Sequence, residues 1–147
     1  MEWYETYVSL ETAKLLKQAD FDWKIYTGYI AYEGGHAFTT NFQTPYNFNG
    51  DTKDLFSNYG EYKEVLSKPT LAVAQRWFRE EKNIAIDIKS NKQGYYDFMV
   101  HRINMVDYIF PSVLCVSACK FNTYEEALEN GIQNALVPLL NYKITLE

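Results

Sequence analysis

The apolar residues between Pro69 and His101 change from helical spacing to strict alternation, and this change limits the folds open to the chain. In "PTLAVAQRWFREEKN" they share one face of a helix, and Pro69 suits the first turn because its missing N–H costs nothing there. "IAIDIK" and "YYDFMVH" then alternate on either side of the turn "SNKQG". The pattern predicts a helix followed by a β-hairpin whose inward side chains are Ile84, Ile86, Ile88, Tyr96, Phe98 and Val100.

The opposite face of this hairpin mixes charged, aromatic and sulfur-containing side chains. Successive residues of a strand point to opposite faces of its sheet. The outward side chains are therefore predicted to be Asp87, Lys89, Tyr95, Asp97, Met99 and His101. Such a face is either solvated or in contact with a partner.

The N-terminal third of the chain shows a similar order of signals. Ser9 is a good N-cap for a helix over "LETAKLLKQA". "KIYTGYIAYEGGHAFTTNF" then predicts a hairpin that turns at Gly34 and Gly35. A helix followed by two strands is thus predicted at 9–42 and again at 70–102, without detectable sequence identity between the two copies.

The C-terminal part is predicted to add one strand and one helix. "PSVLCVSACKF" is apolar and favours a strand. In a helix predicted at 123–140, Thr123 and Glu126 form a capping box, and Pro138 is expected to end the helix or bend its last turn. The buried face of this helix is predicted to consist of Tyr124, Ala127, Leu128, Ile132, Ala135 and Leu136.

The predicted order of elements is αββ–αββ(β)–α. Strands joined by tight turns form antiparallel sheets, and helices cover the apolar face of such a sheet. We therefore predict an α+β fold, a two-layer sandwich with one antiparallel sheet of four to five strands and helices on one face. The 147 residues suit a single domain over 1–147.

Four segments resemble a pattern found in small uncharacterised proteins of bacteriophages and prophages. They are "SLETAKLLKQADFD", "PTLAVAQRWFREEKNI", "GYYDFMV" and "TYEEALENGIQNAL". The matched positions are mainly helix caps and core residues, and they cover about half of the chain. The resemblance implies an α+β fold and a phage or mobile-element origin, and it implies no catalytic residue. The stretches 42–62 and 104–119 depart from the pattern.

The composition argues against several classes of partner. The net charge is −5, whereas non-specific nucleic-acid binding needs clustered Lys and Arg to displace counterions. No apolar run approaches the ~20 residues of a membrane span, and "MEWYETYVSL" lacks the basic region and apolar core of a signal peptide. Two cysteines without an export signal indicate a reducing cytoplasm. We expect a cytoplasmic protein that binds neither nucleic acid nor membranes.

The helix residues in "QRWFR" are of the types that contact DNA in recognition helices. Gln75, Arg76 and Arg79 could bind bases and phosphates. The alternative is a solvated helix face on which Arg76 pairs with Glu80, four residues later. The net acidity of the chain favours this second interpretation.

No metal site and no cofactor are predicted. Cys115 and Cys119 have a loose zinc-like spacing, but the two histidines of the chain are isolated and no matching pair exists. On one strand these cysteines would lie about 13 Å apart, too far for a shared metal or a disulfide. "NFNGDTKD" resembles a calcium loop, but Thr52 and Asn58 occupy the positions that require Gly and Glu.

An acid–base site is the third kind of chemistry that the sequence suggests. His101, Asp97 and Tyr95 are predicted on one outward strand face. Alternate residues of a strand lie about 7 Å apart, so these groups would converge only with help from neighbouring strands. A polar sheet face is the simpler interpretation, and we assign no catalytic residue.

The stretch from Asn41 to Tyr62 is predicted to be a long loop. It contains six aromatic residues and a single aliphatic one, Leu55, among many Asn, Gly, Asp and Ser residues. Tyrosine mixed with small polar residues is typical of recognition loops. The alternative is an irregular flap whose aromatic side chains complete the core. Under the first interpretation Tyr46, Phe48 and Tyr59 should be partly exposed.

We expect a non-enzymatic interaction protein that contacts a host protein or a second copy of itself. One alternative is a small-molecule or nucleotide binder with an aromatic pocket, and another is a small enzyme that uses His101 and Asp97. The candidate binding residues are Tyr46, Phe48, Tyr59, Tyr62, Tyr95 and His101.

Overall fold

The computed structural model describes residues 6–105 and 112–146, with side chains up to Asn141. It has an α+β fold that divides into two compact units. The first unit is Tyr7–Thr70, and the described part of the second unit runs from Leu71 onward together with Thr6. That residues 1–147 form a single domain stays a prediction. None of the helices in the described residues is long and apolar enough to cross a membrane.

The first unit contains one helix and a three-stranded antiparallel sheet. Its elements are α1 (Leu10–Gln18), β1 (Ile25–Ala31), β2 (Ala37–Tyr46) and β3 (Glu64–Ser67), and the strand order is β2-β1-β3. The helix begins where the sequence predicts it, because Ser9 Oγ accepts a hydrogen bond from Thr12 N at 3.2 Å. The β1–β2 hairpin also forms at the predicted turn.

The second unit contains two helices and another three-stranded antiparallel sheet. Its elements are α2 (Leu71–Glu81), β4 (Ile84–Ser90), β5 (Tyr96–Arg102), β6 (Val113–Val116) and α3 (Tyr124–Leu146), and the strand order is β4-β5-β6. Two predicted features of its helices are confirmed. Trp77 and Phe78 lie in the core, and Arg76 Nε pairs with Glu80 Oε1 at 2.7 Å.

Helix α3 packs closely on the inward face of the second sheet. A Cβ atom at Gly131 would lie 2.7 Å from Ile86 Cγ2 and 3.3 Å from Phe98 Cβ. Glycine at this position therefore lets the helix backbone approach the strands. The predicted core residues Ala127, Leu128, Ile132, Ala135 and Leu136 are buried.

The sheet prediction needs correction. The described residues form two three-stranded sheets and not one sheet of four to five strands. The strand β3 was not predicted, because "EVLS" is short and shows no clear alternation. Strand β2 extends to Tyr46, six residues into the loop predicted from Asn41 to Tyr62, and the segment Ser57–Tyr59 forms a short 3₁₀ helix.

Three predictions about the C-terminal part hold only in part. The predicted strand forms, but β6 covers only Val113–Val116, and Pro111 of the predicted strand lies outside the described residues. Tyr124 is exposed because it begins α3, where its side chain lies beside Tyr96 and not beneath the helix. Helix α3 does not end at Pro138, although Thr123 Oγ1 does cap it by accepting from Glu126 N.

The repeated helix–strand–strand pattern does not give two sheets with the same order. In the first unit the strand after the helix, β1, is central, whereas in the second unit the central strand is the second one, β5. The local sequence pattern therefore recurs without a matching strand order.

We predict that Trp77→Ala lowers the free energy of unfolding by about 3–5 kcal/mol, because it empties a fully buried site. Arg79→Ala is the matched control on the exposed face of the same helix and should change this free energy by less than about 0.5 kcal/mol. Urea denaturation followed by circular dichroism measures both values. Equal midpoints for the two variants would contradict the helix face described above.

Candidate functional site on the outward face of the second sheet

The strand register places the outward side chains of the second sheet in rows. Ala85, His101 and Val113 lie opposite one another across the three strands, and Asp87, Met99 and Val116 form the next row. A third row pairs Lys89 with Asp97. An irregularity in the β5–β6 pairing between Val100 and His101 brings Val113 and Val116 to the same face, although they are three residues apart.

This face is apolar at one side and charged at the other. Met99 is 41% exposed, Val113 47% and Val116 57%. Their charged neighbours are Asp87 and Lys89 on β4 and Asp97 near the start of β5. Exposed apolar side chains bordered by charged ones also occur on surfaces that bind other proteins.

A depression of about 570 Å³ lies on this face. Met99, Val116 and the segment 117–119 contribute to its lining, and the charged residues around it are Asp87, Lys89, Asp97 and Lys120. Its walls are mainly apolar. We call this feature the sheet depression. Its charged lining residues are two acids and two lysines, so a ligand meets no net charge of one sign.

His101 has a carboxylate partner, but it is not Asp97. His101 Nε2 lies 2.5 Å from Asp87 Oδ2 on the neighbouring strand, and the His101 side chain is 25% exposed. The sequence-based enzyme hypothesis named Asp97, which stands opposite Lys89. The carboxylate partner of His101 therefore comes from the neighbouring strand β4. A His–Asp pair fixes the imidazole orientation and can support acid–base chemistry if a third reacting group joins it.

Tyr95 lies outside the rows of the outward face. It closes the turn between β4 and β5, where Asn91 Oδ1 accepts hydrogen bonds from Tyr95 N at 3.1 Å and from Gln93 N at 3.0 Å. Its side chain is exposed. Tyr95 therefore lies at the end of the hairpin and does not line the centre of the sheet depression.

The aromatic residues predicted to form a recognition loop pack on one another in the first unit. Phe48 and Phe56 are fully buried. Phe42 lies between them, with ring centroids 5.0 Å from Phe48 and 5.7 Å from Phe56. The remaining members of this aromatic cluster contact its centre from the outside: Tyr46, Tyr59 and Tyr62.

The aromatic cluster covers one face of the first sheet. A Cβ atom at Gly28 would lie 2.4 Å from the Phe48 ring, so this ring rests on the backbone of the central strand. Asn49 strengthens the attachment, because its Oδ1 accepts from Ser67 N and its Nδ2 donates to Phe21 O. The predicted exposure of Phe48 is therefore wrong, and the structural-flap alternative describes the centre of the segment.

The outer members of the cluster differ from its centre. Tyr59 is 43% exposed, as predicted, and Tyr46 and Tyr62 are half-buried. The backbone carbonyl of Tyr59 accepts a hydrogen bond from Tyr32 Oη at 2.8 Å. Tyr32 in turn stacks on His36, with ring centroids 5.3 Å apart. The three candidate tyrosines thus lie at the edge of a structural cluster.

Lys68 occupies a further aromatic environment in the first unit. Its Nζ lies 4.6 Å from the Tyr29 ring centroid and 5.2 Å from that of Tyr7, and it donates to Thr39 Oγ1 at 2.9 Å. Burial lowers the pKa of the Lys68 ammonium. The contacts join the end of β3 to β1 and β2, which gives this lysine a structural role.

The two cysteines are free thiols, and they do not share a strand. Cys115 lies within β6, whereas Cys119 follows its end and lines the sheet depression. In the part of the chain that the structure describes, no three His, Cys, Asp or Glu side chains form a metal-binding group. That the protein holds no zinc stays a prediction, which chelator treatment with a melting curve would test.

Sequence reasoning missed the contribution of β6 and of the segment 117–120 to this site. Val113, Val116 and Lys120 were not among the candidate residues, because one strand face was predicted without its neighbour. The only local signal is that "VLCV" is uncharged, which is compatible with a buried strand as well as with an exposed one.

No family model, curated protein or solved structure matches this chain.

We predict that Phe48→Ala lowers the free energy of unfolding by about 3–5 kcal/mol, because it removes the ring that covers Gly28. Tyr59→Ala, at the exposed edge of the same cluster, should cost about 1 kcal/mol, the value of one aromatic contact. Chemical denaturation of both variants compares them directly. A Tyr59 variant as unstable as the Phe48 variant would contradict the division between centre and edge.

Proposed function

We propose that this protein is a non-enzymatic interaction protein that binds an extended segment of a partner protein on the outward face of β4-β5-β6. The observation that carries the proposal is the sheet depression, which combines exposed Met99 and Val116 with charged residues of both signs. A large apolar side chain of the partner fills the depression. Charged side chains on either side of it pair with Asp97 and Lys120.

The chemistry of the depression favours a peptide segment as its occupant. Methionine adapts its shape to different apolar side chains and occurs in surfaces that bind peptides. The opposite charges around the depression match a segment that contains both an acidic and a basic residue. Peptide affinity at such sites comes mainly from one or two apolar anchors, and the charges set orientation.

The proposal includes a phage or mobile-element origin and action in the host cytoplasm. The origin rests on the four segments that resemble phage and prophage proteins. The compartment rests on the two cysteines, Cys115 and Cys119, which are free thiols. Neither nucleic acid nor a membrane is part of the proposal, because the net charge is −5 and the depression has no excess of lysine.

A small-molecule binder is the second candidate. The observation that favours it is the volume of the sheet depression, 570 Å³, which lies within the ~300–1,000 Å³ typical of ligand pockets. This candidate places the ligand on the sheet and not beneath the aromatic segment 42–62, where Phe48 and Phe56 fill the space. Native mass spectrometry of the purified protein distinguishes it by a retained small molecule.

The proposed function can be tested with a displayed library of random peptides, each about twelve residues long. We expect the wild-type protein to select peptides with one large apolar residue between an acidic and a basic one. Met99→Glu should weaken their binding at least about tenfold, because it places a charge where the apolar anchor sits. Amide chemical shifts on titration should change around Met99, Val116 and Lys120.

Val137→Glu provides the matched control. Val137 is an exposed apolar residue on α3, away from the strands that line the depression, and its substitution should leave peptide binding unchanged. Equal losses for Met99→Glu and Val137→Glu would refute the proposed surface. Selection of no peptide, together with a retained small molecule, would favour the second candidate.

A further inference from the structure

Asp87 belongs both to the sheet depression and to the contact with His101. Its side chain contributes to the lining of the depression, and its Oδ2 lies 2.5 Å from His101 Nε2. His101 itself does not line the depression. A carboxylate of the proposed binding surface is thus in direct contact with an imidazole beside that surface.

The strand register explains this contact. Ala85 is directly opposite His101 on β4, and Asp87 is two residues further along the same strand. The side chains of Asp87 and His101 are therefore diagonal neighbours on the outward face, at a spacing that long or aromatic side chains can bridge. Because Ala85 has a short side chain, the position directly opposite does not obstruct the imidazole.

Asp87 is the ionic partner of His101 among the described residues. The residue opposite His101 on β6 is Val113, and its neighbour on the same face of β5 is Met99, both uncharged. Lys89 and Asp97 lie in the third row, further along the face. A change of charge on the imidazole therefore acts first on Asp87.

Protonation of His101 changes the charge balance of the depression. The lining contains the carboxylates of Asp87 and Asp97 and the ammonium groups of Lys89 and Lys120. An ionised carboxylate only accepts hydrogen bonds, so with a neutral imidazole Nε2–H donates to Asp87, which keeps its negative charge. With an imidazolium the His101–Asp87 pair carries no net charge, and the two lysines then outweigh Asp97.

Histidine is the side chain that ordinarily changes its charge between pH 5 and 8. Aspartate and lysine side chains ordinarily keep their charges over this range. The chain contains two histidines, and the other one, His36, belongs to the first unit. A change in the charge of the depression over this range therefore points to His101.

We propose that protonation of His101 weakens the binding of the partner segment, so that the sheet depression binds it more tightly at pH 7.5 than at pH 5.5. A basic side chain of the segment pairs with Asp87 and Asp97 together, and the imidazolium competes with it for Asp87. This inference rests on the proposed function, because it concerns the same surface and the same partner.

The expected effect is moderate. The side chain of His101 is 25% exposed and that of Asp87 63%, so water and salt screen the interaction. One added positive charge about 8 Å from the basic residue of the segment changes the affinity about two- to threefold at a dielectric constant close to that of water.

Calorimetric titration of one synthetic peptide at pH 7.5 and at pH 5.5 tests the inference. The peptide is the tightest binder of the displayed library, with acetylated and amidated ends so that its termini do not titrate. At low ionic strength its Kd should be about two- to threefold higher at pH 5.5. The same peptide with its basic residue replaced by glutamine should show no such increase, which excludes an effect of its acidic residue.

The two histidines provide the matched variants. His101→Gln has no titrating imidazole beside Asp87, so its Kd should be the same at both pH values. Asp87→Asn removes the carboxylate for which the imidazolium competes and should also lose the dependence. His36→Gln removes the histidine of the first unit and should keep the wild-type ratio. Each protein is its own reference, because only the ratio of its two Kd values is compared.

The outcomes separate this inference from the proposed function. A ratio lost in His101→Gln and kept in His36→Gln would support both. Equal Kd values at the two pH values for the wild-type protein would overturn the pH dependence and leave peptide binding in place. A ratio that persists in His101→Gln would overturn the pH dependence as well. Selection of no peptide at pH 7.5 would overturn the proposed function and this inference with it.

Discussion

The ring of Phe48 lies directly on the backbone of Gly28, and the first unit depends on this contact. Gly28 is in the central strand β1, and a Cβ atom there would come within 2.4 Å of the ring. A three-stranded sheet gains independent stability only when its apolar faces are covered. Helix α1 packs against β3, and Phe48 brings Phe42 and Phe56 over the central strand. Any side chain at position 28 would displace this aromatic layer.

In the second unit a helix covers the apolar face of the sheet. Gly131 lets α3 approach Ile86 and Phe98 at a distance that a Cβ atom would not permit. The two units therefore share a physical device, a glycine at the closest approach between layers, although it lies in a strand in one unit and in a helix in the other. Helical propensity disfavours glycine at position 131. The close packing of the helix on the strands therefore explains why glycine is present there.

The sequence predicts the local elements well and their assembly poorly. Periodicity and caps are local signals. The helices that begin near Ser9, Leu71 and Thr123 and the two hairpins could therefore be predicted from the sequence. The division of the strands into two sheets depends on pairing between residues that are distant in sequence, such as Tyr29 with Leu66. The sequence has no local signal for such pairing. Pro138 lies within α3 against the expectation, although proline normally interrupts a helix.

The candidate site shows the same division. Alternation alone places Asp97, Met99 and His101 on the outward face. It does not reveal that Asp87 is the partner of His101, because this depends on the diagonal register between β4 and β5. The sequence also does not show whether Phe48 is exposed or buried, because six aromatic residues without periodicity are equally compatible with an exposed loop and with a self-packed cluster.

Charge explains why the two sheets differ in their covering. Strand β1, "IYTGYIA", contains no charged residue, so both of its faces can be buried without desolvating an ion. Strands β4 and β5 have Asp87, Lys89 and Asp97 on their outward face, and covering these with an apolar layer would remove their charges from water. A partner that supplies complementary charges would offset part of this desolvation penalty. The outward face therefore keeps its charges in water, and in the proposed interaction the apolar residues Met99, Val113 and Val116 would supply the contact area.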